Sequence, residues 1–151
     1  MQDNQDQLTK YFLRLLSARD YSKNELTAKA KAKGFSETKI NQSLNWLESR
    51  NFINEQRMAQ NLVYHYGQSK GKKWLMQKLK SRKLPNEVII SALKNFEEQT
   101  PLELKNKIAQ KYKIKNWQNI EPKTKQKVLA FLTSRGYQNP HSILKSWQET
   151  N

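Results

Sequence analysis

The sequence predicts an all-α protein of three tandem three-helix repeats, stacked into an elongated, curved array. Three observations predict it. A short pattern occurs three times: Leu26-x3-Ala30-x3-Gly34-Phe35, Leu75-x3-Leu79-x3-Lys83-Leu84 and Val128-x3-Leu132-x3-Gly136-Tyr137. Each copy has apolar residues at helical spacing, then a turn position, then a large apolar residue. The turn positions lie 83 − 34 = 49 and 136 − 83 = 53 residues apart, a period that belongs to helical repeats. No stretch sustains the alternation of a half-buried strand. Only four glycines and four prolines punctuate 151 residues, which suits long helices with short joints. The repeats fall at residues 1–53, 54–99 and 100–151. Units of about 50 residues bury little core alone, so neighbours should share apolar contacts. Such arrays present an extended surface to a partner rather than enclose a pocket.

In the first repeat, Tyr11, Phe12, Leu15 and Leu16 give one apolar face. Ser22-Lys23-Asn24-Glu25 is a capping box, in which a hydroxyl and a carboxylate satisfy free N–H groups at a helix start. The helix that follows turns Leu26 and Ala30 inward and ends at Gly34, which adopts the left-handed cap conformation cheaply. Ser36 opens a third helix with Ile40, Leu44 and Leu47 inward, and Asn51 caps its end. In the second repeat Asn54 caps a helix with Met58, Ala59, Leu62, Val63 and Tyr66 inward. Gly67 and Gly71 bracket the next joint. Leu75 and Leu79 mark the second helix, and Pro85-Asn86 precedes a third with Ile89, Leu93 and Phe96 at the spacing of Ile40, Leu44 and Leu47. In the third repeat Pro101 stands at a first-turn position, with Leu104, Ile108 and Tyr112 inward. After a longer joint with Pro122 come Val128, Leu132 and Gly136-Tyr137. Asn139-Pro140 opens the last helix, where Ile143 and Trp147 fall one residue out of register with the earlier repeats.

The net charge is +15, from 28 basic and 13 acidic residues. A charge of that size points to a polyanionic partner. Disorder is the rival reading of high charge and low hydropathy, but 15 aromatic residues, four of them Trp, argue for packed helices. Between Glu55 and Glu87 there is no acid against eight basic residues, and between Leu104 and Gln148 one acid against ten. One end or face should therefore be much more positive than the rest. No run approaches the ~20 apolar residues of a membrane span, and the N-terminal residues lack the basic start and apolar run of a signal peptide. With no cysteine there is neither disulfide nor thiolate site, and a cytoplasmic setting is the simplest expectation.

Several stretches resemble the RecX family of bacterial recombination regulators. They are Leu16-Ser17-Ala18-Arg19-Asp20-Tyr21-Ser22 with Glu25-Leu26; Asn51-Phe52-Ile53-Asn54-Glu55-Gln56-Arg57-Met58-Ala59; and Phe131-Leu132-x2-Arg135-Gly136-Tyr137. The second is the most specific, and the similarity runs from about Leu8 to Trp147. Where the family often has two acids before the x-Arg step, Asn54 and Glu55 stand. Ser69 replaces one usual glycine of the second-repeat joint, Gly71 keeps the other, and Lys83 stands where glycine is usual. The resemblance implies a non-enzymatic protein, monomeric and without cofactor. It implies binding to the RecA–single-stranded-DNA filament, restraint of filament extension, ATPase activity and strand exchange, and contact with DNA, single- or double-stranded.

The sharpest candidate contact surface is the segment from residue 70 to 83. It holds seven basic residues in fourteen positions and no acid: Lys70, Lys72, Lys73, Lys78, Lys80, Arg82 and Lys83. On a helix through Leu75 and Leu79, Lys73 and Lys80 lie on the solvent side, and Trp74 is placed to stack on a base or a partner. The competing reading is a solvated face with Trp74 packed between repeats. Lys107 and Lys111 share a second basic helical face, within a run that also holds Lys105, Lys113, Lys115, Lys123, Lys125 and Lys127; solubility explains that run equally well. Arg57 lies in the specific stretch, and packing explains it better than partner contact. His65 and His141 stand alone, without the converging ligands of a metal site. Trp46, Trp117 and Trp147 are expected in the core or between repeats. Glu97, Glu98 and Glu103 are read as helix-capping acids rather than a catalytic pair. No P-loop, nucleophile elbow or Rossmann glycine pattern is present. A general DNA- or RNA-binding module is the alternative function, because the same lysines serve it and a three-helix unit can house a helix-turn-helix.

Overall fold

A computed structural model describes residues 2–149, with side chains from residue 7 onward. The side chains of the N-terminal run read above against a signal peptide lie outside it. Nine helices and no strand occur among the described residues, as an all-α fold requires. They are α1 (Gln2–Ala18), α2 (Lys23–Ala32), α3 (Glu37–Ser49), α4 (Glu55–Tyr66), α5 (Lys72–Ser81), α6 (Asn86–Leu93), α7 (Leu102–Lys111), α8 (Pro122–Ser134) and α9 (Pro140–Glu149), with a short 3-10 turn at Trp117–Asn119 before α8.

The recurring pattern has one backbone explanation. After α2, the Gly34 N–H donates to the Lys31 carbonyl and the Phe35 N–H to that of Ala30. Lys83 and Leu84 repeat these bonds on Lys80 and Leu79, and Gly136 and Tyr137 repeat them on Thr133 and Leu132. Each is a Schellman cap, which satisfies carbonyls at a helix end and needs a left-handed residue between. The φ values are 90° at Gly34, 56° at Lys83 and 85° at Gly136. Lys83 therefore holds a conformation in which its Cβ is strained.

The chain forms two compact units. The first comprises Met1–Asn61 and Lys78–Lys94, the second Leu62–Gln77 and Asn95–Asn151. In the first, Leu8 and Phe12 of α1, Leu26 and Ala30 of α2, Ile40, Leu44 and Leu47 of α3, and Ile53 form one buried cluster. Thr9 and Ser43 exchange a 2.9 Å hydroxyl bond between α1 and α3. The capping box forms: the Glu25 N–H donates to Ser22 Oγ and the Ser22 N–H to Glu25 Oε1. Ser36 caps α3, Asn54 accepts from the Arg57 N–H, and Asn51 sits at φ 64° beyond α3. In the second unit, Leu104 and Ile108 of α7, Val128 and Leu132 of α8, Tyr137, and Leu144 and Trp147 of α9 are buried together.

Three sequence expectations are corrected. In α9 the buried pair is Leu144 and Trp147, with Ile143 only half-buried. That i, i+3 pair matches Leu44 and Leu47, so the last helix is in register after all; taking Ile143 as its partner was the error. Phe96 lies beyond α6, which stops at Leu93. The chain leaves the helix there and carries Glu98 to the start of α5, where it accepts from the Lys72 N–H at 3.0 Å. Trp46 is 42 % exposed rather than core. One step before Leu47 rotates it about 100° off the buried face, and it stacks on Phe52 at 6.1 Å.

Candidate nucleic-acid interface

The basic residues singled out above meet different fates. In the first unit, Arg82 turns back on its own unit. Its Nε lies 3.0 Å from Glu25 Oε2, and Nη2 donates to the Asp20 carbonyl at 2.7 Å. Both side chains are largely withdrawn from solvent, 15 % and 14 % exposed, so the Arg82 guanidinium is engaged where a partner would need it free. Lys83 is exposed, and its carbonyl accepts from Asn24 Nδ2. Lys80 is exposed, while Lys78 and Arg57 are half-buried. Lys23 pairs with Glu48 at 3.0 Å and Glu55 at 3.7 Å; the hydrogen bond to Glu48 is the main cause of its raised pKa.

In the second unit the start of α5 is fixed by backbone contacts. The Gly71 N–H donates to the Arg135 carbonyl at 2.9 Å, and the Lys73 N–H to the Gly136 carbonyl at 3.1 Å. A Cβ on Gly71 would run into the Gly136 carbonyl, and one on Gly136 would run into the Trp74 backbone. Two glycines thus let two chain segments touch. Glu98 closes the arrangement, accepting from the Lys72 and Gln138 N–H groups, which bears out the capping role read for it.

Around this joint gather Lys70, Trp74, Lys107 and Lys111, together with Arg135 and Phe131. Lys70 Nζ lies 5.1 Å from the Trp74 ring, which packs on Tyr66 at 5.0 Å. Lys111 and Arg135 approach Phe131 at 5.0 and 4.8 Å. Burial, then Arg135 and Lys107, lower the pKa of Lys70. Lys73, Lys107 and Lys111 are exposed; Lys70, Lys72 and Trp74 are half-buried. Sequence reasoning missed Arg135 and Phe131 as site members. They stand more than 50 residues from Lys70, and only the Gly71–Gly136 contact reveals the adjacency.

Elsewhere in this unit a surface cavity of about 430 Å³ is lined by Tyr112, Lys113, Lys115, Asn119, Glu121 and Thr124 among others. Its single carboxylate offers neither a paired acid and base nor an activated nucleophile. Among the described residues no three His, Asp or Glu side chains converge as metal ligands, and no helix is long and apolar enough to cross a membrane.

A family model for RecX, first three-helix domain, matches residues 10–47. The regulatory protein RecX of Actinobacillus pleuropneumoniae serotype 5b is 31 % identical over 132 residues, covering 87 % of this chain and 85 % of that protein. The chain belongs to the RecX family. The regulatory protein RecX of Vibrio campbellii is likewise 31 % identical over 126 residues, covering 83 % of this chain and 80 % of its own. The crystal structure of RecX from Lactobacillus salivarius superposes with a TM-score of 0.83 over 99 % of both chains, at 18 % identity. At that identity the likeness speaks for the fold. The Actinobacillus and Vibrio relatives are both named as regulatory proteins.

Proposed function

We propose that this RecX-family protein binds the RecA–single-stranded-DNA filament and restrains its extension, ATP hydrolysis and strand exchange. It does so as a cytoplasmic monomer of three successive three-helix repeats, at residues 1–53, 54–99 and 100–151. One observation carries the reading: a regulatory-protein family whose member here sets a dense row of basic residues on and around α5, with Lys73 and Lys80 exposed. Phosphate contacts supply affinity and make it salt-dependent; contacts with the recombinase subunits would supply selectivity.

The deciding assay is RecA-dependent ATP hydrolysis on single-stranded DNA, with and without this protein. Inhibition is expected, and the double variant Lys73→Glu/Lys80→Glu should weaken it at least tenfold, the effect of about 1.4 kcal/mol. Unchanged inhibition by a folded double variant would remove this surface from the contact. Affinity for the filament should exceed that for bare single strands at every salt concentration. Equal affinities would favour a general nucleic-acid-binding module, the reading that the cations over aromatic rings in the second unit support.

A further inference from the structure

We infer that Lys70, Lys107 and Arg135, with the Phe131 ring, form a subsite for single-stranded nucleic acid, the cations taking a phosphate and the ring an unpaired base. This rests on the proposed function only in that it supplies the nucleic-acid half of that contact.

The first support is uncompensated charge. In the first unit three cations have carboxylates: Arg82 and Arg19 share Glu25, and Lys23 has Glu48 and Glu55. Among the described residues, Lys70, Lys107 and Arg135 have no such ion pair. The nearby acid, Glu98, already accepts backbone N–H groups from Lys72 and Gln138. Lys70 feels the crowding: burial and the two neighbouring cations make its ammonium form less favourable. A phosphate relieves that repulsion.

The second support is rigidity. Lys70 and Arg135 each precede a glycine of the Gly71–Gly136 contact, where the Gly71 N–H bonds the Arg135 carbonyl itself. The backbone therefore sets the two side chains together before any ligand arrives, which reduces the ordering cost of binding.

The third support is the aromatic partner. Arg135 and Lys111 both lie over Phe131. A guanidinium held by a ring face keeps its N–H donors free, and their fork matches phosphate oxygens. A base that stacks on Phe131 replaces a weak exposed cation–π contact with a stronger base–aromatic one, and the displaced cation moves to the phosphate. Stacking needs an unpaired base, so the subsite favours single strands over duplex.

The test is fluorescence anisotropy with a labelled oligothymidylate and a duplex of equal length, on the full chain. Arg135→Gln with Lys107→Gln should weaken oligothymidylate binding about tenfold or more and lower the salt slope by about 0.7 for each phosphate that is no longer neutralised. Phe131→Leu should weaken the single strand more than the duplex, with Phe131→Tyr restoring the preference. Lys70→Met should weaken binding yet raise the thermal midpoint of the free protein, whereas a merely structural lysine would lower it. Wild-type binding by a folded Arg135→Gln/Lys107→Gln variant, or equal losses for single strand and duplex on Phe131→Leu, overturns the subsite. If the wild type leaves RecA-dependent ATP hydrolysis unchanged, the filament reading fails while the oligothymidylate result still judges the subsite.

Discussion

Replacing Gly136 by alanine should cost far more than replacing Gly34, although the two occupy equivalent caps. Both have left-handed backbones, with φ 85° and 90°. An L-residue there costs about 1–2 kcal/mol, and alanine recovers about 0.4–1 kcal/mol through a less mobile unfolded chain. At Gly34 an added Cβ meets nothing within 4 Å, so the net loss should stay near 1 kcal/mol. At Gly136 the Cβ would run into the Trp74 amide and lie 2.9 Å from Trp74 Cα. Backbone cannot swing aside as a flexible side chain does, and overpacking adds about 1–3 kcal/mol. The total of about 2–4 kcal/mol is a large part of the stability of a small domain. Urea unfolding followed by far-UV circular dichroism gives both values. Trp74 fluorescence should also change for Gly136→Ala alone, because that substitution moves the start of α5. Equal losses for the two variants would refute the claim that this joint is closed by backbone contact.

Two further outcomes follow from single residues. Lys83→Gly should stabilise the protein by about 0.5–1 kcal/mol, since it removes a strained Cβ at φ 56° and leaves the carbonyl that accepts from Asn24; urea midpoints decide, and a loss of stability would contradict the strain. Tyr137 is pushed up to about 12 by burial and by Glu98, and its hydroxyl donates to the Gln99 carbonyl at 3.1 Å. Its folded pKa is raised, so its contribution is fully present below the ordinary tyrosine value and fades as pH rises from about 10 to about 12. Tyr137→Phe should cost about 1 kcal/mol at neutral pH. That deficit should shrink across this window in paired pH–stability curves, and a pH-independent deficit would show that ionisation plays no part.

What the sequence makes readable is local. The Schellman caps at Gly34, Lys83 and Gly136, the capping box at Ser22 and the Asn54 cap depend on residues within one or two turns of each other, and all form. The misreadings have local causes too. Ile143 and Leu144 are adjacent apolar residues, so periodicity alone does not choose between them. Phe96 has the right spacing but follows a helix that ends sooner than α3. The candidate site divides in the same way. The exposure of Lys73 and Lys80 follows from helical period. The commitment of Arg82 to Glu25, and the gathering of Arg135 with Lys70, depend on contacts between residues distant in the chain, which no window of sequence contains.

Glu55 and Glu98 carry a consequence for dissecting this protein. Glu55 is the first residue of α4, yet it receives the N–H of Lys23 at the start of α2. Glu98 follows α6 and receives the N–H of Lys72 at the start of α5. In both places a helix is finished by a carboxylate that arrives after the next helix has been made. A fragment cut at residue 53, where the sequence period suggests a clean border, would sever α2 from the group that completes its first turn. The period that repeats in the sequence therefore ends short of a hydrogen bond that the second helix of its first copy uses.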